Sequence, residues 1–209
     1  MPPAGAAVTS IVLASDNRGK LRELSQLMAP MGFEVTPQGT LGIETPPETG
    51  TTFESNALLK ALFAAERSGL PALADDSGIE VDVLGGRPGV FSARYAGKGA
   101  SDDENLRKML RELQGVPLER RTARYQCVIV LVQNARDEHP VIARGTWEGR
   151  IGLTPRGTGG FGYDPIFVPA GLSCTAAEMT DEQKNAVSHR GQALRELVAL
   201  VGMRVAESG

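Results

Sequence analysis

Cysteine, histidine and aromatic residues are scarce in this chain of 209 residues, which has two Cys, two His, one Trp and 5% aromatics. Neither Cys127 nor Cys174 has a second Cys or a His at metal-ligand spacing, so the sequence carries no zinc pattern. Cys127 lies in an apolar run and reads as a small core residue, while Cys174 stands alone in polar sequence. No run of about 18 apolar residues occurs, and MPPAGAAVTS lacks the positive and apolar regions of a secretory leader. A cytoplasmic protein with no membrane partner is expected. Positive charge is not in excess either. The formal net charge of -3 provides no global basic field for nucleic acid. A polyanionic ligand would need a local cluster of Lys, Arg and backbone N–H groups, and a nucleic-acid partner is not expected.

What is present is ordinary globular composition, 41% apolar and 22% charged, with enough length to bury a substantial core. SIVLA (10–14) reads as a buried strand that runs through SDNRGK into a helix. The apolar positions Leu21, Leu24, Leu27, Met28 and Met31 fall near helical period, and Gly32 stops the helix. PQGTLGIETPPETG (37–50) reads as a loop. A capping box in Thr51-Thr52-Phe53-Glu54 opens a second helix that runs to about Gly69. ALADD and IEVDVL are short strand candidates on either side of a turn, followed by a turn at Gly85-Gly86. Ser101-Asp102-Asp103-Glu104 opens a third helix with Leu106, Met109, Leu110 and Leu113 inward and Gly115 at its end. TARYQCVIVLVQ and PVIARGTWEGRI are long strands joined as a hairpin through NARDEH, where His139 is solvated. A glycine-rich loop, GTGGFGYDP, precedes the strand IFVP. A last helix starts near Ser188 with Ala193, Leu194, Leu197, Val198 and Val201 on one face. Early alternation of strands and helices with a hairpin in the middle predicts an α/β protein with a mixed sheet and flanking helices.

Five stretches carry possible chemistry, and each has a plain structural reading beside it. SDNRGK is a strand-to-helix turn, where first-turn N–H groups and the helix dipole favour phosphate. It is not a P-loop, since Ala14 and Leu21 stand where that pattern needs Gly and Ser or Thr. The plain reading is a helix capped by Ser or Asn with Lys20 in solvent. ETGTTFESNALLKA puts Asn56 and Lys60 four apart on one side of a helix, with Glu48 in the loop before it. The plain reading is an exposed polar stripe. Asp75 and Asp76 lie where a strand reaches a turn and, as neighbours in extended chain, point to opposite faces. With Glu48 they offer the hard oxygen ligands that Mg²⁺ prefers, although Asp-Ser-Gly is also common turn chemistry. The glycines around Phe161 and Tyr163 let a flat ligand approach, with Phe161 able to stack on a base. SHRG opens the last helix with His189 and Arg190 as donors for an oxygen acceptor.

In order, SDNRGK, ETGTTFESNALLKA, ADDSGIEVDVLGGRPGVFSARYAG, GTGGFGYDPIF and TDEQKNAVSHRGQAL resemble the house-cleaning nucleoside triphosphate pyrophosphatases of the inosine triphosphatase (Ham1-like) type. The likeness runs from about residue 10 to 200, consistent with a single domain over 1–209. It implies a long mixed sheet with flanking helices in two lobes around a nucleotide cleft, a Mg²⁺ cofactor and a homodimer. It implies hydrolysis of inosine, deoxyinosine and xanthosine triphosphates to monophosphate and pyrophosphate, which keeps deaminated purines out of nucleic acids. Position by position, Ser15, Asp16, Asn17, Arg18, Gly19 and Lys20 would bind the triphosphate, with Asn56 and Lys60 alongside. Asp76 would be the acid–base residue and a metal ligand, with Asp75 supporting the metal and Ser77 touching substrate. Phe161, Gly162, Tyr163 and Asp164 would hold base and sugar, and Lys184, His189 and Arg190 would complete purine recognition. Many relatives carry two acidic residues before the Thr-Gly pair. This chain has Pro47-Glu48, which leaves Glu48 as the candidate ligand at that corner. Close rivals are a pyrophosphatase for modified pyrimidine or methylated nucleotides and a nucleotide sensor without turnover. FGYDPIF with SHRGQAL argues against the first, and the set Lys20, Asp76 and Lys184 against the second.

Overall fold

The computed structural model describes residues 9–28 and 33–207. Met31 and Gly32, expected at the end of the first helix, and the N-terminal MPPAGAAV lie outside the described residues. The strands are β1 (Thr9–Leu13), β2 (Phe33–Pro37), β3 (Ala72–Val81), β4 (Thr122–Val132), β5 (Val141–Ile151) and β6 (Phe167–Pro169). They form one sheet in the order β2-β1-β3-β4-β5-β6. Pairing is parallel for β1 with β2 and β3, and antiparallel for β5 with β6, which is the expected mixed sheet. The helices are α1 (Arg18–Met28), α2 (Phe53–Ser68), α3 (Asp102–Glu112), α4 (Asp181–Val187) and α5 (His189–Glu207). The chain divides into two compact units, and the divisions fall inside β3, β4, β5 and α5: 1–76, 128–144 and 193–209 form the first, 77–127 and 145–192 the second.

In the first unit, α2 packs through alanines. Ala57, Ala61, Ala64 and Ala65 are buried and share a core with Val12, Ala14, Ala72, Ala74, Val128, Val130 and Val132. Such small side chains bring the helix axis close to the sheet. Ile11, Leu73 and Leu131 instead line a small space of about 50 Å³ with Met28 of α1 and Leu194 and Leu197 of α5. Strand side chains alternate between faces, and that alternation separates the two groups. In α5, Ala193, Leu194 and Leu197 are buried, whereas Val198 is exposed.

In the second unit, α3 buries Leu106, Met109 and Leu113 against Ile79, Val81, Tyr125, Trp147, Ile151 and Phe167, with Leu110 partly covered. The helix opens where expected, and Ser101 with Glu104 forms a capping box there. Arg121, which sequence did not single out, is buried and donates to the carbonyls of Leu113, Val116 and Gly152. It thereby satisfies backbone acceptors left over where α3 ends.

Several expectations are corrected. ALADD and IEVDVL are one continuous strand up to Val81, not two strands about a turn. Ser77-Gly78 reads as turn chemistry, yet Gly78 is buried without a positive φ and lies inside the ten-residue strand. Asp82–Leu84 forms a 3-10 turn, ending the strand before the positive-φ Gly85. The cap of α2 is Thr52 with Ser55, one residue later than expected. Glu54 is half-buried and pairs with Arg144 instead. Strand β2 and helix α4 have no counterpart in the sequence reading. The first is a short edge strand ending in Pro37; the second is capped by Thr180 and Gln183. Gly149 tests the tight β5–β6 contact, because a Cβ there would stand 2.5 Å from the Val168 carbonyl oxygen and 2.6 Å from the Phe167 ring. Gly149→Ala is expected to lower stability by about 1–3 kcal/mol, as overpacking does, measured by urea unfolding.

Candidate active site

In the first unit, the β1–α1 turn closes on itself before it meets any ligand. The Ser15 hydroxyl accepts from the Asn17 N–H at 3.2 Å, and Asn17 Oδ1 caps α1 by accepting from the Lys20 N–H at 3.0 Å. Arg18 is exposed at the first helical position and Gly19 is half-buried. A helix start has no internal acceptors for its first N–H groups, so this turn retains donors for an anion. Asp16 accepts from Thr45, whose hydroxyl also takes a bond from fully buried Gln38 at 2.5 Å. That tie to the loop before α2 was not foreseen.

Lys20 reaches across to β3, where its ammonium lies 2.7 Å from the Asp75 carboxylate and 3.4 Å from the Asp75 carbonyl oxygen. On the opposite face Lys60, from α2, sits 2.7 Å from Asp76 Oδ1 and 3.1 Å from Glu48 Oε1. Lys60 is only 4% exposed and Asp76 5%, so the exposed polar stripe on α2 is not what forms. Burial works against the Lys60 ammonium, but the carboxylates of Asp76 and Glu48 outweigh it and raise its pKa above the usual lysine value. Burial also pushes the Asp76 carboxyl above the usual carboxylate value, against the pull of Lys60 and Lys20. Asn56 is fully buried; its Nδ2 donates to Asp76 Oδ2 at 3.3 Å and its Oδ1 accepts from the Gly50 N–H at 2.8 Å.

Glu48 and Asp76 thus converge on one cationic position with hard oxygen donors, and Mg²⁺ commonly takes one or two carboxylates while keeping its waters. These two residues fit such an ion. Asp75 is held away by Lys20, and no group of three His, Cys, Asp or Glu side chains placed to hold a metal occurs among the described residues.

In the second unit, Asp164 is the hub of the glycine-rich loop. Its carboxylate accepts from the Phe161 N–H at 2.9 Å, the Tyr125 hydroxyl at 3.2 Å and the Lys184 ammonium at 2.5 Å. Gly160 is required at that turn, since it has φ +68 and a Cβ would stand 2.0 Å from Asp164 Oδ2. The Gly162 N–H donates to Asp102, and Tyr163 is buried with its hydroxyl on the Ser92 carbonyl. Half-buried Phe161 carries Lys184 Nζ at 5.1 Å and Arg190 at 5.6 Å from its ring centroid. Arg190 also donates to the Ser77 hydroxyl at 2.9 Å, and His189 stacks on Tyr125 at 4.6 Å and 5°. Ser188 accepts from the Gly191 N–H and so caps the last helix. Phe161, Ser77, Lys184 and Arg190 are therefore drawn together, and of these Lys184 and Arg190 are buried as deeply as Tyr163, Asp164 and His189.

One unit supplies lysines and carboxylates suited to a polyanion and its cation, and the other a cation-ringed aromatic suited to a flat ring. Each is a feature of nucleotide-handling α/β proteins. The family model described as the Ham1 family matches residues 11–200, and the chain belongs to that family. A dITP/XTP pyrophosphatase of Methylococcus capsulatus is 57% identical over 90% of this chain and 94% of that protein. One from Escherichia coli O157:H7 is 52% identical over 90% and 95%. A solved HAM1 protein from Coxiella burnetii superposes with a TM-score of 0.85 at 46% identity, covering 94% of this chain and all of that one.

The buried Asp164–Lys184 pair makes a direct test. Asp164→Ala removes the carboxylate paired with the buried Lys184 ammonium and is expected to cost about 3–5 kcal/mol in urea unfolding. Adding Lys184→Met to it should restore part of that loss.

Proposed function

We propose that this chain hydrolyses inosine, deoxyinosine and xanthosine triphosphates to the monophosphate and pyrophosphate, keeping deaminated purines out of DNA and RNA. The observation that carries the reading is the buried Lys60–Asp76–Glu48 group beside Lys20 and the α1 turn, a site with both positive charge and a proton acceptor. The names of the relatives, dITP/XTP pyrophosphatases, supply the substrate class.

The triphosphate is taken by the α1 turn, Lys20 and Lys60, which neutralise charge that builds on the leaving pyrophosphate. Asp76 orients a water toward the α-phosphorus and accepts its proton. A P–O bond forms to the water oxygen as the bond to the bridging α–β oxygen breaks, and that oxygen leaves with pyrophosphate. An acceptor whose pKa is raised by burial is better matched to this task than a solvated carboxylate. Mg²⁺, held by Glu48 and Asp76, would supply further neutralisation of the phosphates. On the second unit, Phe161 stacks on the base and Arg190 donates to the 6-oxo group of hypoxanthine or xanthine. Adenine presents an amino group there, setting donor against donor at a cost of about 1–3 kcal/mol. A homodimer in the cytoplasm belongs to the same reading and rests on the family resemblance. No helix among the described residues is long and apolar enough to cross a membrane.

Asp76→Asn still folds but is expected to lower the thermal transition, because buried Lys60 loses one of its two carboxylates, and to reduce turnover, measured well below that transition, by at least about two orders of magnitude. Near-full activity in that variant would overturn the assignment, and release of single phosphate in place of pyrophosphate would overturn attack at the α-phosphorus. Arg190→Ala should narrow the preference for inosine over adenosine triphosphate by about ten-fold or more, the scale of one lost polar contact. An unchanged ratio of kcat/KM values removes Arg190 from base selection.

A further inference from the structure

Asn56 has no surface to offer a substrate, since it is 0% exposed and both ends of its amide are engaged within the protein. The orientation of that amide follows from its partners. The Gly50 backbone N–H can only donate, so Oδ1 must face it, which turns the NH₂ group toward Asp76. One rigid side chain therefore connects the loop that carries Glu48 to the carboxylate of β3. Gly50 completes the clasp. A Cβ at that position would stand 2.2 Å from the Ser55 hydroxyl and 2.6 Å from Asn56 Oδ1, so only glycine lets the loop come down onto the start of α2. The Thr52–Ser55 capping box holds the same corner from the other side.

We propose that Asn56 is a positioning residue that sets the distance between the Glu48 loop and Asp76, with Gly50 as the surface it grips; this rests on Asp76 being the proton acceptor. Asp76 then has each oxygen assigned, Oδ1 to Lys60 and Oδ2 to Asn56, so its carboxylate plane is fixed from two sides. Without the amide the carboxylate keeps its charge partner and loses its orientation.

The test compares wild type with Asn56→Ala, Asn56→Asp and Gly50→Ala, each assayed with inosine triphosphate well below its own unfolding transition. Hydrogen–deuterium exchange over residues 42–52 is followed without nucleotide. Asn56→Asp retains an acceptor for the Gly50 N–H, so exchange should stay near the wild-type rate. Its kcat should fall at least about ten-fold, the effect of one lost hydrogen bond to a charged group, with KM within about two-fold. Asn56→Ala should show the same fall in kcat together with faster exchange over 42–52. Gly50→Ala should speed the exchange and lower kcat through the displaced loop. A kcat within about two-fold of wild type in Asn56→Asp overturns the link to Asp76. Unchanged exchange in Asn56→Ala overturns the link to the loop. If Asn56→Ala shows no cooperative unfolding transition, Asn56→Asp and Gly50→Ala decide the matter, being respectively isosteric and outside the core. An active Asp76→Asn measured in parallel would sink the reaction-centre reading instead, and the exchange arm would still report on the clasp.

Discussion

The buried ion pair between Lys60 and Asp76 is the interaction on which the first unit's chemistry depends. Two opposite charges out of water are tolerated only when paired and further hydrogen-bonded. Asp76 meets that condition through Lys60 and Asn56, and Lys60 through Asp76 and Glu48. The alanine stripe of α2 makes the pair possible. With Ala57 and Ala61 against the sheet, the residues just before them, Asn56 and Lys60, are carried down to the strand that bears Asp76. Larger side chains on that stripe would lift the helix and break the contact.

The second unit obeys the same rule with different parts. Asp164 and Lys184 are each almost fully buried and neutralise one another, and the carboxylate also gathers a backbone N–H and a tyrosine hydroxyl. The result is a shaped loop in which Phe161 stays partly exposed while its neighbours are fixed. Glycines at 160 and 162, both with positive φ, supply the backbone path. Binding chemistry in both units thus rests on charges that the fold has already paired, which keeps their geometry set before a ligand arrives.

Much of this was legible before any coordinates. The start of α3, the hairpin strands and the mixed sheet follow from local patterns, because Ser-x-x-Glu and alternating apolar residues act over a few positions. The residues of the candidate site were nearly all named from motifs. Their roles were less visible. Helical spacing gives Asn56 only a place on the polar side of α2, whereas the fold buries it and ties its amide to the Gly50 N–H and Asp76. Asp75 and Asp76 read as partners around one ion, whereas the pleat of β3 hands them to two different lysines. Ser77-Gly78 reads as a turn because turn chemistry acts locally, whereas β3 runs through these residues as one extended strand from Ala72 to Val81.

By itself the sequence determined the family, the elements with strong local signals and the cast of chemical groups. These depend on residue identity and on spacings of a few positions, and such interactions do not need the rest of the chain. Tertiary structure alone decided which carboxylate meets which lysine, that the polar side of α2 is buried, and that Gly50 must be bare. Each of those depends on residues far apart in sequence being brought within a few ångströms, where burial makes an unpaired charge too costly to keep.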